Sequence, residues 1–488
     1  IYMNHHFAKK SYYLTTTLPY VNDRPHVGHA LEFVQADVVA RYKRLQGYDV
    51  ILNFGTDEHG QKIYKKAQEA GQDPQAYADE YAATFDALKK ILNFSYDLFT
   101  RTTDPDHKEA AREFWRICLK KGDIYKKFYK IRYCVGCELE KTDSELIDGK
   151  CPIHPKMEVE NREEENYFFK LSKYQDDLVK LYTDRPDFVV PSLRLNEMKS
   201  LIERDGLHDF SISRLKDKMP WGISVPEDDA HVMYVWFDAL INYISAIGWP
   251  KDMEKFTRYW PVIQFAGKDQ VRQQVVMWQA MLFSAGLQPS KQIIIHGFVI
   301  GDGGIKMSKS LGSVIDPYEV VEQYSTDALR YFLLRHIHPF EDSEFTVAKF
   351  KEAYNANLAN GLGNLVSRIM KMSSDYGVAA NLANREEILE SEWAASIFDH
   401  LEKYDYNRAL DEVWSEIQNL DAYIGVKKPF RLVKDNVAEA KKVVATLVEG
   451  LWRIAIILEL FLPETSEKIK DLVSRNAIPE KPLFLRRD

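Results

Sequence analysis

Residues 12–60 read YYLTTTLPYVNDRPHVGHALEFVQADVVARYKRLQGYDVILNFGTDEHG, and this stretch decides the fold. Residues 12–17 are aromatic and β-branched, as a strand prefers, and they run into the turn-rich segment 19–25. From Gly28 the apolar residues Leu31, Val34, Val38, Tyr42 and Leu45 recur at three- and four-residue spacing, and Gly47 closes the pattern as a helix-ending glycine does. A short apolar run, residues 50–55, then gives way to Asp57, Glu58, His59 and Gly60 before a second helical pattern over 61–70. Strand, helix, strand, helix in that order predicts a parallel sheet faced with helices, its ligands gathered beyond the carboxyl ends of the strands.

Working outward, the same alternation returns as a strand at 262–266, a helix over 271–285 and a strand over 292–300. Roughly 140 to 200 residues, one domain's worth, separate the two halves of the sheet. Beyond about residue 348 strand signals almost vanish, and helical periodicity covers 358–372, 394–401, 406–423 and 437–461, as in a helical bundle. At 488 residues and ~150 residues per domain, about three domains are expected.

Composition narrows the class. With 45% hydrophobic, 12% aromatic and 28% charged residues the chain can bury large cores, which excludes a disordered or fibrous protein. Its 65 basic and 73 acidic residues leave a net charge of −8, which excludes a basic coat that binds any nucleic acid. Four cysteines make no secreted disulfide framework, and the first ten residues lack the apolar stretch of a leader, so a reducing, cytoplasmic setting is expected. The most apolar segment, 443–462, carries Glu449, Arg453 and Glu459, and reads as a bundle helix rather than a membrane span.

Three motifs carry chemistry. His26-Val27-Gly28-His29 lies where the first loop becomes the first helix, and a helix N-terminus offers N–H groups and a positive dipole end to phosphate while Gly allows close approach. Lys306-Met307-Ser308-Lys309-Ser310 follows a strand and Gly301, Gly303 and Gly304, the makings of a loop whose lysines close over phosphates. Taken singly, each reads equally well as solvated surface. The third, Cys134-x2-Cys137-x13-Cys151-x2-His154, brings three thiolates and an imidazole around one tetrahedral Zn²⁺, which four protein ligands make structural; Pro152 and Pro155 stiffen it. Cys118 stands apart, and His107 fits no ligand pair.

The first two motifs together resemble the paired signatures of class I aminoacyl-tRNA synthetases, with Val27 where Ile is usual. The flanking words Thr17-Leu18-Pro19-Tyr20-Val21-Asn22-Asp23, Gly55-Thr56-Asp57-Glu58-His59-Gly60, Trp221-Gly222-Ile223 and Trp236-Phe237-Asp238-Ala239 are similar to the methionyl branch, bacterial type with a single zinc knuckle. The likeness runs from about residue 12 to the end. It implies an α/β fold class: a Rossmann-like parallel-sheet catalytic domain (1–115 and 231–325) split by a zinc-bearing insertion (116–230), then a stem-contact linker (326–348) and an α-helical anticodon-binding bundle (349–488). It implies adenylation of L-methionine by ATP with Mg²⁺, followed by transfer to tRNA(Met), the initiator included. His26, His29, Lys306 and Lys309 would be catalytic, and His26, Gly28, His29, Gly267, Asp269 and Lys309 would bind ATP. Asp57 would hold the ammonium of methionine, with Leu18, Tyr20, Trp236, Ala239, Leu240, Tyr243, Ile295 and His296 around the side chain.

By periodicity alone Trp236, Ala239, Leu240 and Tyr243 are one face of a core helix. Gln274 stands where the family usually has His, and carries no assigned role. In the bundle, basic and acidic side chains nearly balance, 20 against 22 over residues 349–488, so RNA would be read by shape and stacking. The resemblance assigns Asn364, Arg368 and Phe430 to anticodon bases, Phe430 replacing a usual Trp. The chain ends soon after the bundle, and a monomer with no membrane partner is expected. Other class I synthetases carry an editing insertion too large for this chain or a different Cys pattern. A small-molecule nucleotidyltransferase would leave the bundle unused, and an RNA-binding relic would be expected to have lost His26, His29 or Lys309.

Overall fold

The structure, a computed structural model, describes residues 10–137, 139–141, 145–301, 303, 315–378 and 380–487. The chain divides into two compact units. One comprises residues up to Arg24, Tyr48–Ala87 and Tyr96–Ile295; the other comprises Pro25–Gly47, Leu88–Ser95 and the chain from His296 onward.

The first unit holds the sheet predicted from both sides of the interruption. Its six strands lie in the order Leu98–Arg101, Asp49–Thr56, Ser11–Thr15, Ile263–Gly267, Gln292–His296 and Val189–Val190. Leu14 pairs in parallel with Leu52 on one side and Ile263 on the other, so the first strand is central. Gly55 is required there, because a Cβ would fall 1.8 Å from the Thr100 carbonyl oxygen of the neighbouring strand. Val189–Val190 comes from inside the interval read as an insertion; two residues are too few for periodicity to reveal. The rest of that interval combines helices, Gln175–Asp184 and Ser192–Asp205 among them, with antiparallel sheet, in which Ile124–Cys134 and Val159–Phe169 run in register from Ile124 against Phe169 to Cys134 against Val159. Phe114, Trp115, Phe237 and Trp278 meet in edge-to-face and stacked pairs at the centre of this unit's core.

Some expected elements differ, among them the helix expected over 358–372, which is π-helical over Tyr354–Gly363 and α-helical over Asn364–Tyr376. The helix expected over 271–285, preceded by a 3₁₀ turn at Lys268–Gln270, is a π-helical stretch at Arg272–Met277 and an α-helix at Trp278–Ala285, which ends at Gly286 with φ +71°. The strand expected over 292–300 is two strands, because Gly297 passes so close to Glu341 that a Cβ would lie 2.2 Å from its carbonyl carbon. The second piece, Val299–Ile300, leaves the sheet to pair with Ser343–Glu344.

In the second unit the helix Val27–Leu45 is fixed to the helix Thr326–Arg335 by a buried ion pair. Arg330, fully buried, places Nη2 2.9 Å from Asp37 Oδ2, and its Nε and Nη1 donate to the carbonyls of Phe461 and Leu92. Burial works against the Asp37 carboxylate, but Arg330, Arg41 and the Ser95 hydroxyl outweigh it and hold its pKa below the ordinary value. The bundle contains Tyr406–Lys427, Val437–Leu458 and Pro463–Arg475. Val437–Leu458 holds most of the segment 443–462 read as a bundle helix, and no helix among the described residues is long and apolar enough to cross a membrane.

Candidate functional site

Each unit gathers candidate residues of its own. In the first unit the chain leaving the central strand runs beside the chain leaving Asp49–Thr56. Tyr20 and Asp57 form a parallel bridge, closed by Asp57 N–H to the Pro19 carbonyl at 2.9 Å and Val21 N–H to the Asp57 carbonyl at 3.2 Å. A buried carboxylate is thereby set beside Leu18 and Tyr20. The Tyr20 ring meets Trp236 edge-on at 6.2 Å, and the Trp236 indole N–H has no hydrogen-bond partner among the described residues. Trp236, Ala239 and Leu240 share the short helix Val235–Leu240, and Tyr243 follows in Asn242–Ser245; the single helix face read from the sequence is broken at Ile241. Leu240, Tyr243 and Ile295 are buried in the same core cluster, against which Trp236 packs. Gly267 ends its strand buried, with Asp269 exposed two residues on.

Sequence reading missed what stands behind this wall. Asp238, fully buried, accepts from His59 Nδ1 and from His107 Nε2, each at 2.7 Å, and His107 Nδ1 lies 3.0 Å from Ser245 Oγ. Burial alone would raise the Asp238 pKa; the two imidazoles reverse that and hold it at about 2. Beside it, buried Glu58 receives a two-pronged contact from Arg101 at 2.6 and 2.8 Å, and its carbonyl accepts from the Trp221 indole. Two carboxylates in the words GTDEHG and WFDA were the available signal. Their partners lie tens to hundreds of residues away, beyond any spacing rule.

In the second unit, His26 is the N-cap of Val27–Leu45. Its Nδ1 accepts from Gly28 N–H at 3.1 Å, while Nδ1 of His29 accepts from His26 N–H at 3.2 Å, so two histidines close a capping box usually made by Ser or Thr with Glu. The rings stack with centroids 3.8 Å apart. An imidazole that accepts at Nδ1 carries its hydrogen on Nε2, so both rings present Nε2–H as donors. His296 has acceptors at both nitrogens, the Gly297 carbonyl at 2.7 Å and Glu32 Oε2 at 2.8 Å. Lys306 and Lys309 lie outside the described residues.

The knuckle residues come together as their spacing predicted. One ligand atom from each of Cys134, Cys137, Cys151 and His154 lies within 4.8 Å of the others, with Cys137 Sγ 3.4 Å from Cys151 Sγ and 3.2 Å from His154 Nδ1. Three thiolates and an imidazole at these separations suit one tetrahedral Zn²⁺ with bonds of ~2.0–2.3 Å. Gly136 is needed beneath them, since a Cβ would meet the His154 ring at 2.5 Å. In the bundle, Asn364 is exposed, Arg368 is ion-paired with Asp421, and Phe430 is 47% exposed.

The family model described as "tRNA synthetases class I (M)" matches residues 12–160 and 136–370. The methionine–tRNA ligase of Caldanaerobacter subterraneus subsp. tengcongensis is 42% identical over 94% of this chain and 73% of its own length. That of Nostoc sp. is 41% identical over 95% of this chain and 89% of its own. Among solved structures, the Mycobacterium tuberculosis methionyl-tRNA synthetase in complex with methionyl-adenylate superposes with a TM-score of 0.88 at 38% identity, covering 95% of this chain and 94% of that one.

Proposed function

The chain belongs to the class I methionyl-tRNA synthetases, and from that premise we propose how its own residues divide the work. The enzyme activates L-methionine with ATP to methionyl-adenylate and pyrophosphate, then transfers methionine to the 3′ end of tRNA(Met). The observation that carries the assignment of residues is the Tyr20–Asp57 bridge beside Trp236. It supports a reading in which the Asp57 carboxylate takes the substrate ammonium while Tyr20 and Trp236, with Leu18, Ala239, Leu240, Tyr243 and Ile295, enclose the thioether. The family resemblance adds His296 to that set.

His26 and His29 donate Nε2–H to the α-phosphate as negative charge builds in the transition state, and their mutual capping fixes both rings beforehand. Gly28, Gly267 and Asp269 bind the nucleotide, and Lys306 and Lys309 act on the pyrophosphate side. Mg²⁺ bound with ATP would supply charge neutralisation at the phosphates. Cys134, Cys137, Cys151 and His154 would hold Zn²⁺, whose four protein ligands would make it a structural cross-link of the knuckle. Asn364, Arg368 and Phe430 read the anticodon, of initiator and elongator tRNA alike, and the enzyme works as a cytoplasmic monomer.

Arg368→Ala separates anticodon reading from adenylation. Charging of tRNA(Met) should fall at least tenfold while methionine-dependent ATP–pyrophosphate exchange stays within about twofold, since a base contact is worth ~1–3 kcal/mol. Equal loss of both activities would make Arg368 a folding residue and remove it from recognition.

A further inference from the structure

We propose that Asp238 is a positioning residue for the amino-acid substrate: by clasping His59 and His107 it fixes how far the Asp57 carboxylate stands from the Trp236 wall, and so how tightly the substrate ammonium is held. This rests on the reading of Asp57 as the partner of that ammonium.

Three consecutive residues after the strand Asp49–Thr56 are tied to three different elements. Asp57 pairs through its main chain with the segment around Tyr20. The Glu58 carboxylate takes the Arg101 guanidinium at 2.6 and 2.8 Å, on the neighbouring strand Leu98–Arg101. His59 reaches a third element, its Nδ1 2.7 Å from Asp238 Oδ2 on the helix Val235–Leu240, and so joins this loop to the helix that carries Trp236. Trp236 and Asp238 stand two residues apart on that helix and therefore on nearly opposite faces, Trp236 toward Tyr20 and Asp238 fully buried.

Asp238 is itself held from the core side. His107, in the first turn of the helix Pro105–Lys120, brings Nε2 to 2.7 Å from Asp238 Oδ1, and its Nδ1 lies 3.0 Å from Ser245 Oγ, at the end of the segment that carries Tyr243. Further along the same helix, Phe114 and Trp115 pack edge-on against Phe237, the residue between Trp236 and Asp238, with ring centroids 5.9 and 5.3 Å away.

The chemistry of this clasp supplies direction more than stability. Although burial disfavours its charge, the two imidazoles keep Asp238 ionised. An ionised carboxylate can only accept, so the hydrogens lie on His59 Nδ1 and His107 Nε2 and each ring is aimed along its bond. Asp238, His59 and His107 are each at most 2% exposed, so water does not compete for these bonds. Burying three ionisable side chains together gains little stability, because desolvation offsets most of their attraction, and apolar side chains of like size would fill a core as well. What the trio adds is a fixed span between the two sides of the pocket, with His59 two residues from Asp57 and Asp238 two residues from Trp236. The ammonium is the part of the substrate most sensitive to that span, since a hydrogen bond depends on distance and angle whereas apolar burial against a ring is non-directional.

The test compares binding of L-methionine and of des-amino-methionine, the same acid without its amino group, by tryptophan fluorescence in the wild type, His59→Leu and His59→Asn. Leucine removes the donor, whereas asparagine places an amide N–H where Nδ1 stands and can still donate to Asp238. His59→Leu should bind L-methionine about ten- to hundredfold more weakly, with des-amino-methionine within about twofold of wild type and the KM for ATP in ATP–pyrophosphate exchange likewise unchanged. His59→Asn should recover L-methionine binding to within about threefold. If His59→Leu does not fold, the double variant His59→Leu with Asp238→Asn decides by the same measurements, because it leaves no buried carboxylate and still offers His107 an acceptor. Equal weakening of both ligands, failure of His59→Asn to recover binding, or normal methionine binding without the His59 donor overturns the proposal. Equal binding of the two ligands by the wild type would instead overturn the assignment of the ammonium to Asp57, and this proposal with it.

Discussion

Replacing Gly28 by Ala should disable catalysis while leaving the fold nearly as stable, and the size of the effect follows from the geometry. A Cβ at residue 28 would lie 2.9 Å from His26 Cε1 and 3.0 Å from its Nδ1. Carbon atoms in good contact sit at about 3.5–4.0 Å, so the His26 ring must withdraw by roughly 0.6–1.1 Å. That movement breaks the Gly28 N–H bond to Nδ1 and the stacking on His29. Loss of an N-cap costs ~1 kcal/mol, and the better helix propensity of Ala returns a similar amount, so thermal unfolding should shift by only a few degrees. Catalysis has no such compensation. A donor displaced by about 1 Å from a developing charge costs on the order of 100-fold in rate. Methionine-dependent exchange measured beside a thermal melt should show a 10- to 100-fold lower kcat in a folded protein. Full activity would refute the role of the stacked histidines, and a collapsed melt would show Gly28 to be structural.

Two further outcomes follow from buried groups. Metal analysis should find about one zinc per chain, lost in Cys134→Ser together with the protection of the knuckle from proteolysis; a metal-free wild type would remove the site. Burial raises the Asp327 carboxyl to about 6 against the hydrogen bonds from Thr465, while the Arg330 charge opposes the rise and the Glu464 charge adds to it. A group that holds its proton more tightly in the folded chain stabilises the fold fully below its unfolded pKa of ~3.9, and that contribution, about 3 kcal/mol, is lost as pH rises through 6. Asp327→Asn should therefore raise the urea midpoint more at pH 7.5 than at pH 4.5, and an equal difference at both would show that Asp327 titrates normally.

Much of the molecule was legible because its signals are local. The Val27–Leu45 helix follows from apolar spacing and a terminal glycine, and the zinc knuckle from two close pairs of ligands. What escaped is of two kinds. Elements of one or two residues, such as Val189–Val190, and local rewindings, such as Arg272–Met277, leave the hydrophobic period unchanged. Pairings across long stretches, such as His107 with Asp238 or Glu58 with Arg101, depend on topology that no spacing encodes. His107 fitted no ligand pair because its partner is a carboxylate 131 positions away. The Gly297 break was hidden for a related reason: its cause is Glu341, on another segment.

The most direct test of the account is ATP–pyrophosphate exchange run with each of the twenty amino acids in turn. Methionine alone should drive exchange if, as proposed, the Asp57 carboxylate takes the substrate ammonium beside Tyr20, Trp236 and Tyr243. Exchange with leucine equal to that with methionine, or none with methionine, would contradict it.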